Sequence, residues 1–102
     1  MNILKKTSKF PYAHVKIIWE DIQQTNEAWI DQEDILKKDV AICSDTGFIY
    51  KKTKDKLWLF TSYSYDTENN LSVGGLTVFP VNTIKKIEKI KWKIIKEVMS
   101  WV

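Results

Sequence analysis

Residues 47–65 read GFIYKKTKDKLWLFTSYSY. Gly47 to Lys52 is rich in aromatic and β-branched side chains, Thr53 to Asp55 is polar and turn-prone, and Lys56 to Tyr65 resumes the β-type composition. That sequence of signals predicts two strands joined by a tight turn. In the second strand a period of two sets Leu57, Leu59, Thr61, Tyr63 and Tyr65 on one face and Trp58, Phe60, Ser62 and Ser64 on the other. Both faces begin apolar, so both must be covered. A single open sheet leaves one face in water, which points to barrel closure, a packed helix or a second subunit.

Working toward lower numbers, VAIC (Val40 to Cys43) reads as a further strand, with a bend or bulge at Ser44 to Thr46 separating it from Gly47. Before it stands a short helix signal of roughly two turns, with Asp31 as N-cap, Asp34 three positions on, Ile30 and Ile35 placed as a hydrophobic staple, and Lys37 and Lys38 at the far end. HVKIIWEDI (His14 to Ile22) is the first strand. Toward higher numbers, Asp66 to Asn70 is a polar loop, Gly74 and Gly75 precede a strand LTVF that Pro80 ends, and VNTI is a tight turn. The last segment admits two readings, a helical stripe through Ile84, Ile87, Ile90, Ile94, Val98 and Trp101 or a strand in which Ile90, Trp92 and Ile94 alternate with lysines; dividing it gives a closing strand near Thr83 to Lys89 and an amphipathic helix from about Lys91. The domain plan is an N-terminal arm at 1–13, a small β domain at 14–90 and a helical extension at 91–102.

The length of 102 residues allows one small domain and excludes a multidomain enzyme. All 16 basic residues are Lys, so no planar guanidinium is present for bidentate pairing with phosphate or a guanine edge. The net charge of +3 is unevenly spread: residues 20–45 carry a net of −6, whereas 46–102 carry +5. Cys43 is the only cysteine, which excludes an intramolecular disulfide and a cysteine-based zinc site and fits a reducing cytoplasm. No apolar run approaches the ~20 residues of a membrane span or follows the early lysines as a signal peptide would, so no membrane association is expected.

Catalytic chemistry finds little to work with. His14 is the one histidine and has no nucleophile motif beside it, and Glu20 and Asp21 are adjacent on a strand and so face opposite ways. Gly74 and Gly75 lack the rest of a phosphate loop. No cofactor and no metal are expected. Aromatic and basic side chains offer a better case, because a ligand with a π-face and a phosphate suits that mixture. The candidate ligand-binding residues are Trp19, Asp21, Trp29, Tyr50, Lys51, Trp58, Tyr63 and Tyr65. Trp58 and Tyr50 could equally fill the core or a subunit contact. Trp19 and Trp29 bracket the loop after the first strand, where they could stack on a base or clamp the short helix, with Trp29 as a lid. Asp21 could cap that loop or accept from a ribose hydroxyl.

The order of these elements resembles small phage and prophage proteins with a V-x-x-x-W-x-D strand, a W-x-x-x-E-D helix, a G-aromatic-aliphatic strand and an aliphatic-Pro turn before a closing I-x-x-I strand. The matching residues are Val15, Trp19, Asp21, Trp29, Glu33, Gly47, Phe48, Ile49, Leu57, Leu59, Phe79, Pro80, Ile84, Ile87 and Ile90, across about residues 14–90. The resemblance implies a mainly β fold, a small SH3-like or Sm-like barrel; with the residue reading the expectation is five strands, a short helix after strand 1 and a C-terminal amphipathic helix, the tail from Lys91 to Val102 lying outside the pattern of the resemblance. It also implies a phage origin and a location in the cytoplasm of the bacterial host. With the aromatic and lysine inventory it gives the expectation of a non-enzymatic homo-oligomer that sequesters a nucleotide-derived immune signalling molecule. Two alternatives are an Sm-like RNA- or single-stranded-DNA-binding oligomer, less favoured by the charge, and a protein-interaction module inhibiting a host factor.

Overall fold

The computed structural model describes residues 10–91. Its strands are β1 (His14–Asp21), β2 (Ala41–Lys52), β3 (Lys56–Phe60), β4 (Ser62–Tyr65), β5 (Leu71–Gly74), β6 (Thr77–Pro80) and β7 (Ile84–Lys89). One helical turn, α1 (Gln32–Ile35), lies between β1 and β2, and a 3-10 turn (Val81–Thr83) joins β6 to β7. Five strands form an antiparallel sheet in the order β6-β3-β2-β1-β7, and β4 and β5 form a separate hairpin. The mainly β class is therefore present, with the turn at Thr53 and the closing strand where the sequence places them. Thr53 N donates to Lys56 O at 2.8 Å, and the Thr53 hydroxyl accepts from the backbone N–H groups of Asp55 and Lys56.

The period-two faces of β1 and β3 make the core. Val15, Ile17, Leu57, Leu59 and Phe79 are buried together, with Ala13, Trp19, Ile49 and Ile84 packed around them. Gly47, opposite Val15, has no side chain because Phe60 O lies where a Cβ would meet it. The sheet does not close into a barrel: β6 and β7 are both edge strands, each paired on one side. They are tied end to end by the 3-10 turn instead of by a ladder. Pro80 has no N–H to offer, and Val81 N donates to Asp55 O at 2.8 Å, so the junction has spent its donors elsewhere.

Other expectations are corrected by local chemistry. The bend at Ser44 to Thr46 is absent; β2 runs unbroken for 12 residues because Ala41 to Phe48 pair in continuous register with β1, and the irregularity falls instead between Ile49 and Lys51, against β3. The long strand over Lys56 to Tyr65 breaks at Thr61, whose N–H turns to Gly74 O at 3.1 Å and leads the chain into the second sheet. Gly75, at φ 64°, makes the return possible, since a Cβ there would collide with the Thr61 hydroxyl. The helix after β1 is one turn, not two. Asp31 makes no side-chain cap bond and only its carbonyl accepts, from Asp34 N at 2.9 Å, and Ile35 is half exposed and staples nothing into the core. The helical extension from Lys91 falls, beyond Lys91 itself, outside the described residues, as does the arm before Phe10.

In the β4–β5 loop, Asp66 Oδ1 accepts from the backbone N–H groups of Glu68 and Asn70, both at 2.8 Å, while Asn69 takes φ 67°. Those donors, Asn70 first, hold the Asp66 carboxyl below its ordinary value. The hairpin loop thus keeps its own geometry with little help from the core.

Candidate functional site

The outer face of the sheet, opposite the aliphatic core, carries a continuous aromatic layer. It starts at residues 10–14, where Phe10, Tyr12 and His14 alternate into β1. Phe10 stacks on Tyr63 at 4.6 Å between ring centroids and meets Phe48 edge-on at 5.2 Å. Tyr12 stacks on Tyr50 at 5.6 Å and meets Phe60 edge-on at 5.4 Å. His14 stacks on Phe48 at 4.7 Å, and Tyr63 leads to Tyr65 at 6.0 Å. Phe60 is fully buried beneath these rings. Offset-stacked and edge-to-face pairs are the favourable arrangements for aromatic quadrupoles, so the layer is a packed second core with an exposed upper surface.

What reaches that surface is decided by the irregularity in β2. Ile49 is opposite Leu59 and Lys51 is opposite Trp58, so the bulge inserts Tyr50 without a partner of its own. The extra residue is aimed outward onto Tyr12, so Tyr50 and Lys51 both stand on the outer side against Trp58. Tyr50 is exposed and Trp58 half-buried. At the adjoining turn Lys51, Lys52, Lys54 and Lys56 are all exposed, and none makes an ion pair among the described residues. Aromatic faces beside uncommitted ammonium groups can accept a flat anion by stacking and charge.

Burial, followed by the neighbouring Tyr50 and Tyr65 hydroxyls, raises the Tyr12 pKa above its ordinary value. A phenol whose folded-state pKa is raised stabilises the fold below the unfolded-state value and loses that contribution as pH rises through the folded-state one. The aromatic layer is therefore expected to lose stability as pH rises from the usual tyrosine range through the raised Tyr12 value. Phenolate absorbance followed alongside circular dichroism checks this: titration of every tyrosine at the ordinary value with no loss of structure contradicts it.

Of the eight sequence-predicted residues, Tyr50, Lys51 and Trp58 come together on β2 and β3, and Tyr63 and Tyr65 adjoin them through the ring layer. The other three lie elsewhere. Trp19 is on the core face, edge-on to Phe79 at 5.4 Å, with its indole N–H donating to Asp45 Oδ2 at 2.7 Å. Asp21 ends β1, and its carboxylate accepts from Ile22 N at 2.9 Å, the loop-capping alternative. Trp29 is 93% exposed on the connection between β1 and β2, covering nothing as a lid would. The residues missed are Phe10, Tyr12, Phe48 and Phe60. Their signal was available: Phe10, Tyr12 and His14 repeat at the period of the strand they lead into. Elsewhere, Glu20 pairs with Lys85 at 2.9 Å, and a shallow groove of about 360 Å³ lies on the hairpin between Ser62–Ser64 and Ser72–Gly74. Among the described residues no helix is long and apolar enough to cross a membrane.

Neither a family model, nor a curated protein, nor a solved structure matches the chain. The site stands on its own geometry.

Proposed function

We propose that this is a non-enzymatic binding domain that takes a nucleotide-type anion on the strip formed by Tyr50, Lys51, Trp58 and Tyr63. The observation that carries the reading is the β2 bulge, which sets Tyr50 and Lys51 on the side of Trp58, beside three further uncommitted lysines, Lys52, Lys54 and Lys56. The base would stack on the exposed rings and the phosphates would meet lysine ammonium groups, in keeping with a chain that has no arginine. A phage- or prophage-encoded protein of this kind, acting as a homo-oligomer in the host cytoplasm, would serve by sequestering a nucleotide-derived immune signal.

Binding to the folded state raises apparent stability, by about 2.7 kcal/mol when free ligand is at 100 times Kd. A panel of mono-, di- and cyclic nucleotides at millimolar excess is therefore expected to raise the melting temperature with at least one member. Tyr50→Ala should weaken that ligand by roughly 5- to 100-fold, the range of one lost stacking contact of about 1–3 kcal/mol, with little loss of fold because the side chain is exposed. A panel without any shift sinks the reading. The open strip, with no enclosing wall, also favours a second reading, a single-stranded nucleic acid laid along the same rings. Affinity for an oligonucleotide that falls steeply with salt, with no nucleotide response, selects that one.

A further inference from the structure

The connection between β1 and β2 is unlike the rest of the molecule. Over residues 22–40 the chain leaves the sheet, forms the single turn α1, and leaves all its large apolar side chains but the half-buried Ile30 exposed: Ile22, Trp29 and Leu36 are 87%, 93% and 95% exposed, and Val40 and Ile42 follow on the return. The same segment is acidic. Asp31, Glu33 and Asp34 bring carboxylate oxygens within 4.8 Å of one another, and only Asp34 has a lysine, Lys37 at 3.2 Å. Glu27 also has a lysine, Lys38 at 3.1 Å, which leaves Asp31, Glu33 and Asp39 without an ion pair among the described residues; large exposed apolar groups set among such carboxylates mark a surface that meets something apolar and basic.

The chain itself carries such a segment. Residues 92–102, WKIIKEVMSWV, combine Trp92, Ile94, Ile95, Val98 and Trp101 with Lys93 and Lys96 against the single acid Glu97, a net of +1, and they follow Lys85, Lys86, Lys89 and Lys91. We infer that residues 92–102 of one copy dock on the 22–42 connection of a second copy, reciprocally, making a two-fold dimer. Own-chain docking is disfavoured by where the two begin. Ile90 N donates to His14 O at 2.9 Å, so the chain leaves β7 at the start of β1, whereas the connection springs from Asp21 at its end. Six strand residues, about 20 Å, separate the two points. A two-fold pair sets each basic apolar segment against the other copy's acidic apolar connection and repeats the same junction twice.

The test uses the full chain throughout, with light scattering after size exclusion and circular dichroism as a control of fold. The wild-type protein is expected to be a dimer whose dissociation constant rises with salt. Trp29→Ser with Leu36→Ser, both fully outside the core, should give a folded monomer. Lys93→Glu with Lys96→Glu should weaken the dimer by roughly tenfold or more, as should Glu33→Lys with Asp34→Lys, because each sets like charges against each other. Combining the two charge reversals in one chain should restore it. A wild-type monomer at all concentrations overturns the inference, whether the segment folds back on its own chain or awaits a different partner. So does a dimer that survives every variant, or a combined reversal that fails to rescue.

Discussion

Phe60→Ala is expected to remove about 3–5 kcal/mol of stability, the range for truncating a fully buried aromatic ring. Phe60 is the last residue of β3 and is completely buried, with Phe48 at 5.5 Å, Tyr12 at 5.4 Å and Tyr63 at 6.3 Å around its ring. It stands where three parts of the chain meet: the segment leading into β1, the long strand β2 and the start of the β4–β5 hairpin. Small domains hold only about 5–15 kcal/mol in total, so one ring accounts for a large share. Denaturant unfolding of the variant should show a midpoint far below that of the wild type. The same variant should also lose Tyr50 as a stacking platform, since Tyr12 rests on both rings. A loss below about 1 kcal/mol would mean that the aromatic layer is a surface decoration and not a second core.

Gly47→Val is expected to be nearly as severe, and for a reason of space alone. A Cβ at position 47 would lie 2.6 Å from Phe60 O and 3.0 Å from Leu59 Cγ. The first of these is backbone, held by the pairing of Phe48 with Phe60, and cannot swing aside. Overpacking a well-filled interior costs about 1–3 kcal/mol for modest additions, and a β-branched side chain against a fixed carbonyl belongs at or above the top of that range. Gly74→Ala is the control. Its Cβ would approach Ser62 Oγ at 2.5 Å, an exposed side-chain end that can rotate away, so its effect should stay within about 1 kcal/mol. Equal losses in the two variants, measured by denaturant midpoint, would show that the β2–β3 contact is less rigid than its geometry implies.

The course of the main strands was legible because their faces differ in chemistry. Val15, Ile17 and Trp19 alternate with Lys16, Ile18 and Glu20, and Leu57 and Leu59 alternate with Trp58 and Phe60. The turn at Thr53 was equally plain. What escaped was everything decided by a partner distant in sequence. The break at Thr61 depends on Gly74 O, 13 residues away, and the bulge at Tyr50 depends on how β3 aligns, neither of which is written in local composition. Barrel closure was inferred from the need to cover both faces, and the need was real. The second face is covered by Phe10, Tyr12 and the β4–β5 hairpin instead. Half of the candidate site followed from the run of aromatic and lysine residues across β2 to β4. Trp19 was misplaced because an indole on a strand reads the same whether it faces a ligand or, as here, donates to an aspartate over the core.

Among the described residues the open sheet leaves two rows of unpaired backbone groups, and both rows are guarded. β7 presents Lys85, Lys86 and Lys89 along its length, and β6 is four residues long and finishes in a proline. A strand arriving from another molecule would have to desolvate charged side chains, two of them already paired with Glu20 and Glu88, on one side and would meet a missing donor on the other. The protein can therefore be rich in β-structure and in exposed rings without polymerising through its backbone.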